Sequence, residues 1–331
     1  MPQALPDWPL FGLADDVRPA LAAAKAADAP AALATLTVVE GGGPRPPGTQ
    51  MVFAEGIVAG YFSGGCIEAD VAAHAEACLG DHAPRTLVYG EGSPWPDIRL
   101  LCGARIEIFV ERVAADDPAL AALLGLTERR EPAIWVSDGR RRACTPPAAV
   151  RLWPGTVSRR YEPALRLVVV GGDPAALAIA MLGAQSGFET TLVRPKGPQT
   201  APLPGVAYRR DEPSEALAAI GLDPWTAVAV ASHDIELDEA ALVSALPSQA
   251  AYVGLLGARA RLPERLARLR SAGVTAEALA RLHAPIGLDI GGKAPWEVAV
   301  SVIGEIMAQR YARDSASTST RSPAAAAGAP A

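Results

Sequence analysis

Residues 165–193 read LRLVVVGGDPAALAIAMLGAQSGFETTLV, and this segment determines the fold predicted for the second half of the chain. Residues 165–170 form a run that is apolar except for Arg166, which is typical of a strand buried on both faces of a sheet. A glycine turn follows, then a helical segment to about Ser186, and residues 190–193 form the next strand. This order predicts a β-α-β unit with parallel strands.

The same alternation of strand and helix continues through the second half of the chain. Apolar runs at residues 206–208, 227–231 and 251–253 are separated by helical segments. The predicted fold class of this half is therefore α/β, with a Rossmann-like, doubly wound parallel sheet. Ligands of such sheets bind beside the carboxyl ends of the strands, so the loops that follow the strands are the candidate binding segments.

The first half mixes helices and strands and predicts an α+β domain. Helices are expected over residues 15–28 and 66–79, and strands at residues 31–39, 51–54, 57–62, 85–89, 105–111 and 133–136. Asp138-Gly139 is a plausible hairpin turn, and the prolines from position 146 to 163 indicate a boundary. We predict an N-terminal domain (15–150), a linker (151–163), a C-terminal domain (164–312) and a disordered tail (313–331).

Composition limits the classes of function. The 331 residues are 50% apolar, enough for two cores, and 30 Lys and Arg face 36 Asp and Glu, a net charge of -6. An acidic chain of this kind lacks the excess of positive charge that is typical of nucleic-acid-binding proteins. The first residues lack a signal-peptide pattern and no long apolar run occurs, so we expect a cytoplasmic protein without a membrane partner. The four cysteines lack CxxC pairing, which favours reduced thiols.

Residues 60–70, GYFSGGCIEAD, predict a strand end, a glycine turn and the first turn of a helix. Backbone N–H groups at Ser63, Gly64 and Gly65 would converge there beside the Cys66 thiol, at a positive helix end that favours thiolate. The turn is therefore a candidate anion cradle. Two observations compete with this: the turn can be a purely structural connection around a buried cysteine, and acidic side chains in the first helical turn would repel an anion.

Two more residues of the first half extend this candidate site. Arg45 lies in the Gly- and Pro-rich segment 41–49, and a guanidinium suits bidentate contact with phosphate. Cys102 precedes Gly103 and is a second candidate thiol, although a buried small hydrophobic residue is the alternative. A thiolate beside an anion cradle points to a metal-bearing, phosphorylated ligand.

His74, Cys78 and His82 are spaced four residues apart, and side chains with this spacing on one helix face can bind a zinc ion. Gly80-Asp81 are expected to end the helix before His82, and no fourth ligand is evident. A surface histidine and a buried cysteine are therefore the favoured interpretation.

The loop after the first strand of the second half argues against a nicotinamide cofactor. Asp173 stands where a dinucleotide fingerprint needs its second glycine, and Arg194 stands where an acidic residue would bind a ribose hydroxyl. NAD(P) binding is therefore disfavoured. Arg194 and Lys196 are either phosphate contacts or solvated surface charges.

Two later loops supply further candidates. Ser232, His233 and Asp234 are consecutive and cannot converge as a catalytic triad, so His233 is a ligand contact or proton carrier, or Ser232 or Asp234 is only a helix cap. Residues 285–295, PIGLDIGGKAP, precede a helix and include Gly287, Asp289 and Lys293. These residues fit two interpretations, a second anion site and a purely structural turn.

The motifs together resemble the XdhC/CoxI family, the maturation factors of xanthine dehydrogenase and related molybdenum hydroxylases. The matching segments span about residues 30–310 and are Gly43-Pro44-Arg45-Pro46-Pro47-Gly48, Ser63 to Val71, Cys102-Gly103, Ser232-His233-Asp234 through Asp238, Tyr252 to Gly257, and Pro285 to Gly291. Their joint order is more specific than any single motif. The chain departs from the family pattern at Asp173, at Arg194 and at Ala294, where the family has a threonine.

The resemblance implies a chaperone without turnover of its own. Such a protein binds the molybdenum cofactor, as molybdopterin or its nucleotide form, and protects it while a partner cysteine desulfurase supplies sulfur. It then delivers the cofactor to an apo molybdenum hydroxylase, and family members are homodimers.

On these grounds we expect a ligand site formed by both halves of the chain. Arg45 and the 63–65 turn would hold the pterin phosphate, Cys66 or Cys102 would approach molybdenum, and the second half would close over the ligand with its 232–234 and 287–293 loops. An NAD(P)-dependent oxidoreductase and a module that only docks onto a hydroxylase are the competing classes.

Overall fold

The computed structural model describes residues 5–43, 45–65, 67–93 and 103–319. Cys66 and Cys102, the two candidate metal-approaching thiols, lie outside the described residues. The chain separates into two compact units, residues 1–163 and residues 164–331. Each unit has its own core and is described here by itself.

A five-stranded antiparallel sheet forms the larger part of the first unit. Its strands are β1 (Ala31–Glu40), β2 (Gln50–Ala54), β3 (Ile57–Gly60), β4 (Arg85–Tyr89) and β5 (Arg105–Val113), in the order β3-β2-β1-β5-β4. Helix α1 (Arg18–Ala26) packs near one edge, and α2 (Glu68–Asp81) packs on the sheet. Apolar side chains of α2 and of its leading turn, among them Phe62, Ile67 and Val71, are buried in this core.

Helix α2 is longer than the sequence suggests. It continues through Gly80-Asp81 and ends at His82, whose φ of 61° is left-handed and whose N–H donates to the Cys78 carbonyl at 3.0 Å. Gly80 lies inside the last turn of α2, and the left-handed residue that ends the helix is His82.

A second, three-stranded sheet completes the first unit. Helix α3 (Pro118–Glu128) precedes β6 (Ala133–Ser137), β7 (Arg142–Thr145) and β8 (Val157–Tyr161), which are ordered β7-β6-β8 and all antiparallel. The turn at Asp138-Gly139 joins β6 to β7, as the sequence suggests. The structure differs from expectation in the 151–163 segment, because β8 pairs there with β6 although prolines flank it on both sides.

The second unit is a six-stranded, fully parallel sheet. Its strands are β9 (Arg166–Gly171), β10 (Glu189–Val193), β11 (Ala207–Arg209), β12 (Thr226–Ala231), β13 (Tyr252–Leu255) and β14 (Leu282–His283), in the order β11-β10-β9-β12-β13-β14. The predicted doubly wound α/β fold is confirmed. The strand order reverses between β9 and β12, the position at which such sheets bind ligands.

Helices cover both faces of this sheet and bury two cores. They are α4 (Pro174–Gln185), α5 (Pro213–Ile220), α6 (Ile235–Ala245), α7 (Leu262–Ser271), α8 (Ala276–Leu279) and α9 (Pro295–Ser319). Helix α9 extends into the segment from residue 313 for which the sequence predicts disorder, and residues 313–319 contain no glycine or proline to stop it. Across the described residues, no helix has the length and apolar character needed to cross a membrane.

Candidate functional site

The glycine turn before α2 closes around a carboxylate of the chain itself. Glu68 Oε1 accepts hydrogen bonds from the N–H groups of Phe62 (3.0 Å) and Ser63 (2.6 Å). Its Oε2 accepts from Ser63 Oγ (2.9 Å), Gly65 N (2.9 Å) and Ile67 N (3.3 Å). The turn does converge N–H groups on one anion, but that anion is Glu68.

Glu68 is ionised and almost inaccessible in this position. The residue is 2% exposed, and although burial raises the pKa of its carboxyl, the hydrogen bonds from Ser63 and Phe62 lower it below its ordinary value of 4.5. Of the N–H groups predicted to hold a phosphate, those of Ser63 and Gly65 already bind this charged acceptor. Positive φ angles at Gly64 (105°) and Gly65 (97°) allow the chain to fold back around it.

Asp70, the second acidic residue at this helix start, also has internal partners. Its Oδ2 accepts a hydrogen bond from the buried Tyr89 hydroxyl at 2.6 Å, and His74 Nε2 lies 3.7 Å away. Burial raises the pKa of Tyr89, and the bond to Asp70 raises it further. Both acidic residues would oppose an external phosphate. In the folded chain Glu68 stabilises the turn, and Asp70 anchors α2 to β4.

The His74-Cys78-His82 spacing does not produce a metal site. The Cys78 thiol is buried, its pKa is raised by that burial, and its Sγ lies 3.9 Å from the Val110 carbonyl. The described residues contain no group of three or more His, Cys, Asp or Glu side chains that could hold a metal ion.

Arg45 is partly exposed and pairs with Asp15. Its side chain is 31% exposed, and a terminal guanidinium nitrogen donates to the Asp15 carboxylate, which is itself 76% exposed. The Arg45 Nε is buried without an acceptor in the part of the chain that the structure describes. Such a loosely held guanidinium can exchange an exposed partner for a ligand oxygen.

In the second unit, two predicted loops meet at the reversal of the strand order. Asp173 caps α4 by accepting from Ala176 N at 2.8 Å, and its Oδ2 lies 2.9 Å from His233 Nε2. His233 has a left-handed φ of 58° and a side chain that is 60% exposed. The loops after β9 and β12 are thus joined by a side-chain pair that solvent can reach.

The glycine turn after β9 is closely covered. A Cβ at Gly171 would lie 2.2 Å from the Ala231 carbonyl oxygen, and one at Gly172 would lie 2.3 Å from Arg194 Cδ. Arg194 therefore packs against the backbone that a pyrophosphate would approach in a dinucleotide-binding domain. Its position, together with the capping role of Asp173, agrees with the departure from the fingerprint seen in the sequence.

Ser232 and Asp234 serve the local structure. Asp234 caps α6 by accepting from Glu236 N (2.9 Å) and Leu237 N (3.2 Å), so the helix-cap alternative is confirmed for this residue. Ser232 Oγ donates to Asp238 Oδ1 at 2.6 Å, and the buried Asp238 pairs through its other oxygen with Arg265. His233 has no capping role, and its side chain is 60% exposed.

The 285–293 loop is held by two carboxylates that sequence reasoning did not assign. Glu305 Oε2 accepts from Gly287 N at 2.7 Å and from the Tyr252 hydroxyl, and its Oε1 lies 3.0 Å from His283 Nδ1. At the start of α9, Glu297 Oε2 accepts from Lys293 N and Ala294 N at 2.9 and 2.8 Å. The N–H groups of Lys293 and Ala294, at this candidate anion site, are thus bound to Glu297.

Two further residues of this region are exposed. Asp289 lies 3.7 Å from Arg259, and both side chains are open to solvent.

The signal that could have found Glu297 is the capping-box spacing, in which an acidic residue at the third helical position reaches back to the N-cap N–H. No comparable rule identifies Glu305, which is distant in sequence from Gly287.

Comparisons with known proteins match both units. Residues 24–90 fit the model of the XdhC and CoxI family, and residues 167–306 fit the XdhC Rossmann domain. The molybdenum cofactor insertion chaperone PaoD of Escherichia coli K12 is 30% identical over 283 residues, which are 85% of this chain and 83% of that protein. A protein of Bacillus subtilis 168 described as a probable xanthine dehydrogenase subunit is 26% identical, over 85% of this chain and 93% of that protein.

A solved structure shares the fold. A xanthine dehydrogenase from Bacillus halodurans superposes with a TM-score of 0.74 at 24% identity, covering 91% of this chain and 96% of that one. One family model matches part of the first unit and the other matches most of the second, and the PaoD similarity extends across both units. The chain belongs to the XdhC and CoxI family.

Proposed function

We propose that this protein is a maturation factor that binds the molybdenum cofactor as cargo. It protects the cofactor while a cysteine desulfurase supplies sulfur, and delivers it to a molybdenum hydroxylase of the xanthine dehydrogenase or aldehyde oxidase type. The observation that carries the proposal is the similarity to the insertion chaperone PaoD over 85% of the chain. We further propose that the factor acts as a cytoplasmic homodimer.

The turn around Glu68 suggests how the thiol is positioned. The chain neighbours of Cys66 are Gly65 and Ile67, and the N–H groups of both donate to the same oxygen of Glu68. We propose that this buried carboxylate fixes the backbone on both sides of Cys66, so that its thiol approaches the molybdenum. Ser63, Gly64 and Gly65 then shape the turn, and Cys102 is the second candidate thiol.

The cargo phosphate needs donors other than the filled turn. Arg45 is a proposed contact in the first unit because its Nε lacks an acceptor among the described residues. In the second unit we propose contacts from the loops that carry Ser232, His233 and Asp234 and, further along, Gly287, Asp289 and Lys293. Of these, His233 has an exposed ring at the strand-order reversal and is the strongest candidate.

The assignment is tested by the cofactor content of purified protein. The chain and its Cys66→Ala and Arg45→Ala variants are produced in cells that make the cofactor, and molybdopterin and molybdenum are measured per chain. Cys144→Ala is the matched control, since burial raises the pKa of that thiol to about 12 and keeps it unreactive. We expect reduced content in the two site variants alone; equal content in all four proteins would remove the residue assignment.

The alternative function, an NAD(P)-dependent oxidoreductase, is favoured by the strand order of the second unit and by the exposed His233 at its reversal. Asp173 and Arg194 disfavour it, because one would repel a pyrophosphate and the other covers Gly172. Titration with NADH and NADPH separates the two functions. We expect no micromolar binding of either nucleotide, and such binding with the nicotinamide near His233 would favour the enzyme.

A further inference from the structure

We propose that the second unit binds an oxyanion in a cleft at the carboxyl end of β13, between Arg259 and Arg265. The chemical class of ligand is a phosphate group, and its assignment to the phosphate of the pterin cargo rests on the proposed function. Neither arginine belongs to the loops from which the sequence predicts phosphate contacts.

The cleft lies where parallel sheets bind ligands. It is a shallow recess, open to solvent, with room for about one water molecule between the protein atoms, and it is bounded by the end of β13 at Leu255, the turn at Gly257 and Ala258, the two arginines, and Pro285 after β14. Among the described residues that line it there are two guanidinium groups and no carboxylate. The charge of the lining favours an oxyanion, which would sit at the mouth of the recess with one oxygen inside it and the others toward solvent.

Arg265 supplies a fixed donor. Its side chain is 11% exposed and is held by the pair with the buried Asp238, while its Nε is buried without an acceptor in the described part of the chain. A Cβ at Gly257 would lie 4.0 Å from Arg265 Cζ, so the guanidinium sits directly against the strand-end turn. A buried donor left unpaired is unfavourable, and a ligand oxygen in the cleft would satisfy it.

Arg259 supplies a positive charge that is paired with an exposed carboxylate. Asp238 balances the charge of Arg265, whereas Arg259 is 79% exposed and its carboxylate neighbour, Asp289, is 3.7 Å away and equally exposed. Exposed pairs of this kind contribute little, so a phosphate can take the place of Asp289. The exposed Glu264, in the first turn of α7, is the acidic side chain that would oppose this binding.

The starts of other helices provide the contrast. In the described residues, the N–H groups at the starts of α2, α4, α6 and α9 bind the carboxylates of Glu68, Asp173, Asp234 and Glu297. The start of α7 has no side-chain cap, but a 3₁₀ turn (Arg259–Arg261) leads directly into it, the Leu262 N–H donates to the Arg259 carbonyl, and Pro263 has no N–H. The side chains of Arg259 and Arg265, and not the backbone N–H groups of a helix start, would therefore bind the ligand in the β13 cleft.

The site is tested by titrating inorganic phosphate into the full chain and following it by calorimetry and ³¹P NMR. We expect saturable binding of one phosphate per chain, at least tenfold weaker in Arg259→Gln and in Arg265→Lys. Arg259→Gln changes an exposed side chain and should fold normally, and Arg265→Lys keeps the charge beside Asp238. Arg270→Gln, which removes the same charge near the other end of α7, is the matched control and should bind as the parent does. Absence of saturable binding, or equal binding by all four proteins, would overturn the site.

Pterin content in the same proteins separates this inference from the proposed function. Loss of pterin in Arg259→Gln with retention in Arg270→Gln supports the cargo assignment. If the parent chain retains pterin and Arg259→Gln retains as much, the cargo assignment of the cleft is wrong while the proposed function stands. If the parent retains no pterin but binds phosphate at the cleft, the proposed function fails and the oxyanion site stands.

Discussion

Glu68 places a negative charge inside the turn where the sequence suggests an external anion. Five donors, four backbone N–H groups and the Ser63 hydroxyl, converge on its two oxygens. Such charge-assisted hydrogen bonds are stronger than neutral ones, so this side chain stabilises the folded turn.

The Glu68→Gln substitution tests that role. The amide keeps one acceptor oxygen but turns an NH2 group toward N–H donors, so we expect a loss of about 2–3 kcal/mol in the free energy of unfolding of the first unit. Denaturant unfolding and hydrogen exchange at Ser63 and Gly65 measure it. The exposed Glu55→Gln, in the β2–β3 turn, is the control and should change stability by less than about 0.5 kcal/mol. Unchanged exchange at both amides in Glu68→Gln would contradict the role.

The pH dependence of stability follows from the same group. The pKa of Glu68 in the folded chain lies below its ordinary value of 4.5, so the unfolded chain takes up this proton first as the pH falls. The stabilisation is present above about pH 4.5 and is lost as the pH drops through the folded pKa. The difference in unfolding free energy between parent and Glu68→Gln should therefore shrink below about pH 4.5. A difference that stays constant with pH would show that the charge is not responsible.

At the residue scale, what the sequence could predict depended on distance along the chain. Asp234 is correctly placed as a cap alternative because an N-cap bonds to N–H groups two and three residues away. Glu68 instead reaches back to Phe62 and Ser63, which requires the left-handed glycines to fold the turn first. Composition and spacing show that the acid is present but do not show where its oxygens point.

At the scale of elements, α9 carries half of a capping box. Ala294 stands at the N-cap, since its carbonyl accepts the first helical bond from Val298 N and its N–H donates to Glu297 Oε2. The reciprocal bond, from the Glu297 N–H to an N-cap hydroxyl, is missing because alanine has no side-chain oxygen. This is also the position at which the chain departs from the threonine of its family.

Ala294→Thr should complete the box and raise the free energy of unfolding of the second unit by about 1 kcal/mol. Thermal and denaturant unfolding of the full chain measure the gain. Ala294→Val has the same shape without the hydroxyl and should give no gain. Equal stabilisation by Thr and Val would assign the effect to side-chain bulk instead of to the cap.

Elements with strong periodicity were predictable, and elements defined by distant pairing were not. The buried strands β9 and β12 read as largely apolar runs, and the helix between β9 and β10 is bounded by Asp173-Pro174 and Gly187. Strands β7 and β8 carry arginines and stand among prolines, and they form because β6 offers partners on both sides. The pairing of β6 with β8 joins segments about 20 residues apart, which no local pattern reports.

At the scale of the whole molecule, the order of motifs carries more information than any unit alone. The first unit by itself suggests an anion cradle, which the structure shows to be filled. The second unit by itself suggests a dinucleotide site, which Asp173 and Arg194 disfavour. The family matches and the PaoD similarity include both units, and they support a function in which both units take part.

The homodimer is a prediction at this scale. Light scattering of the purified full chain should give twice the monomer mass, independent of added cofactor. A monomer over the micromolar range would contradict it without affecting cargo binding, since each chain carries the complete set of proposed contacts.

Cofactor retention by the purified full chain is the decisive test of cargo binding. The protein is isolated without oxygen from cells that make the molybdenum cofactor, and pterin and molybdenum are quantified per chain. We expect pterin and molybdenum in equal amounts, approaching one per chain, with clear loss in Cys66→Ala and none in Cys144→Ala. A chain that carries neither pterin nor molybdenum, and that takes up neither when mixed with free cofactor, would contradict the proposed function.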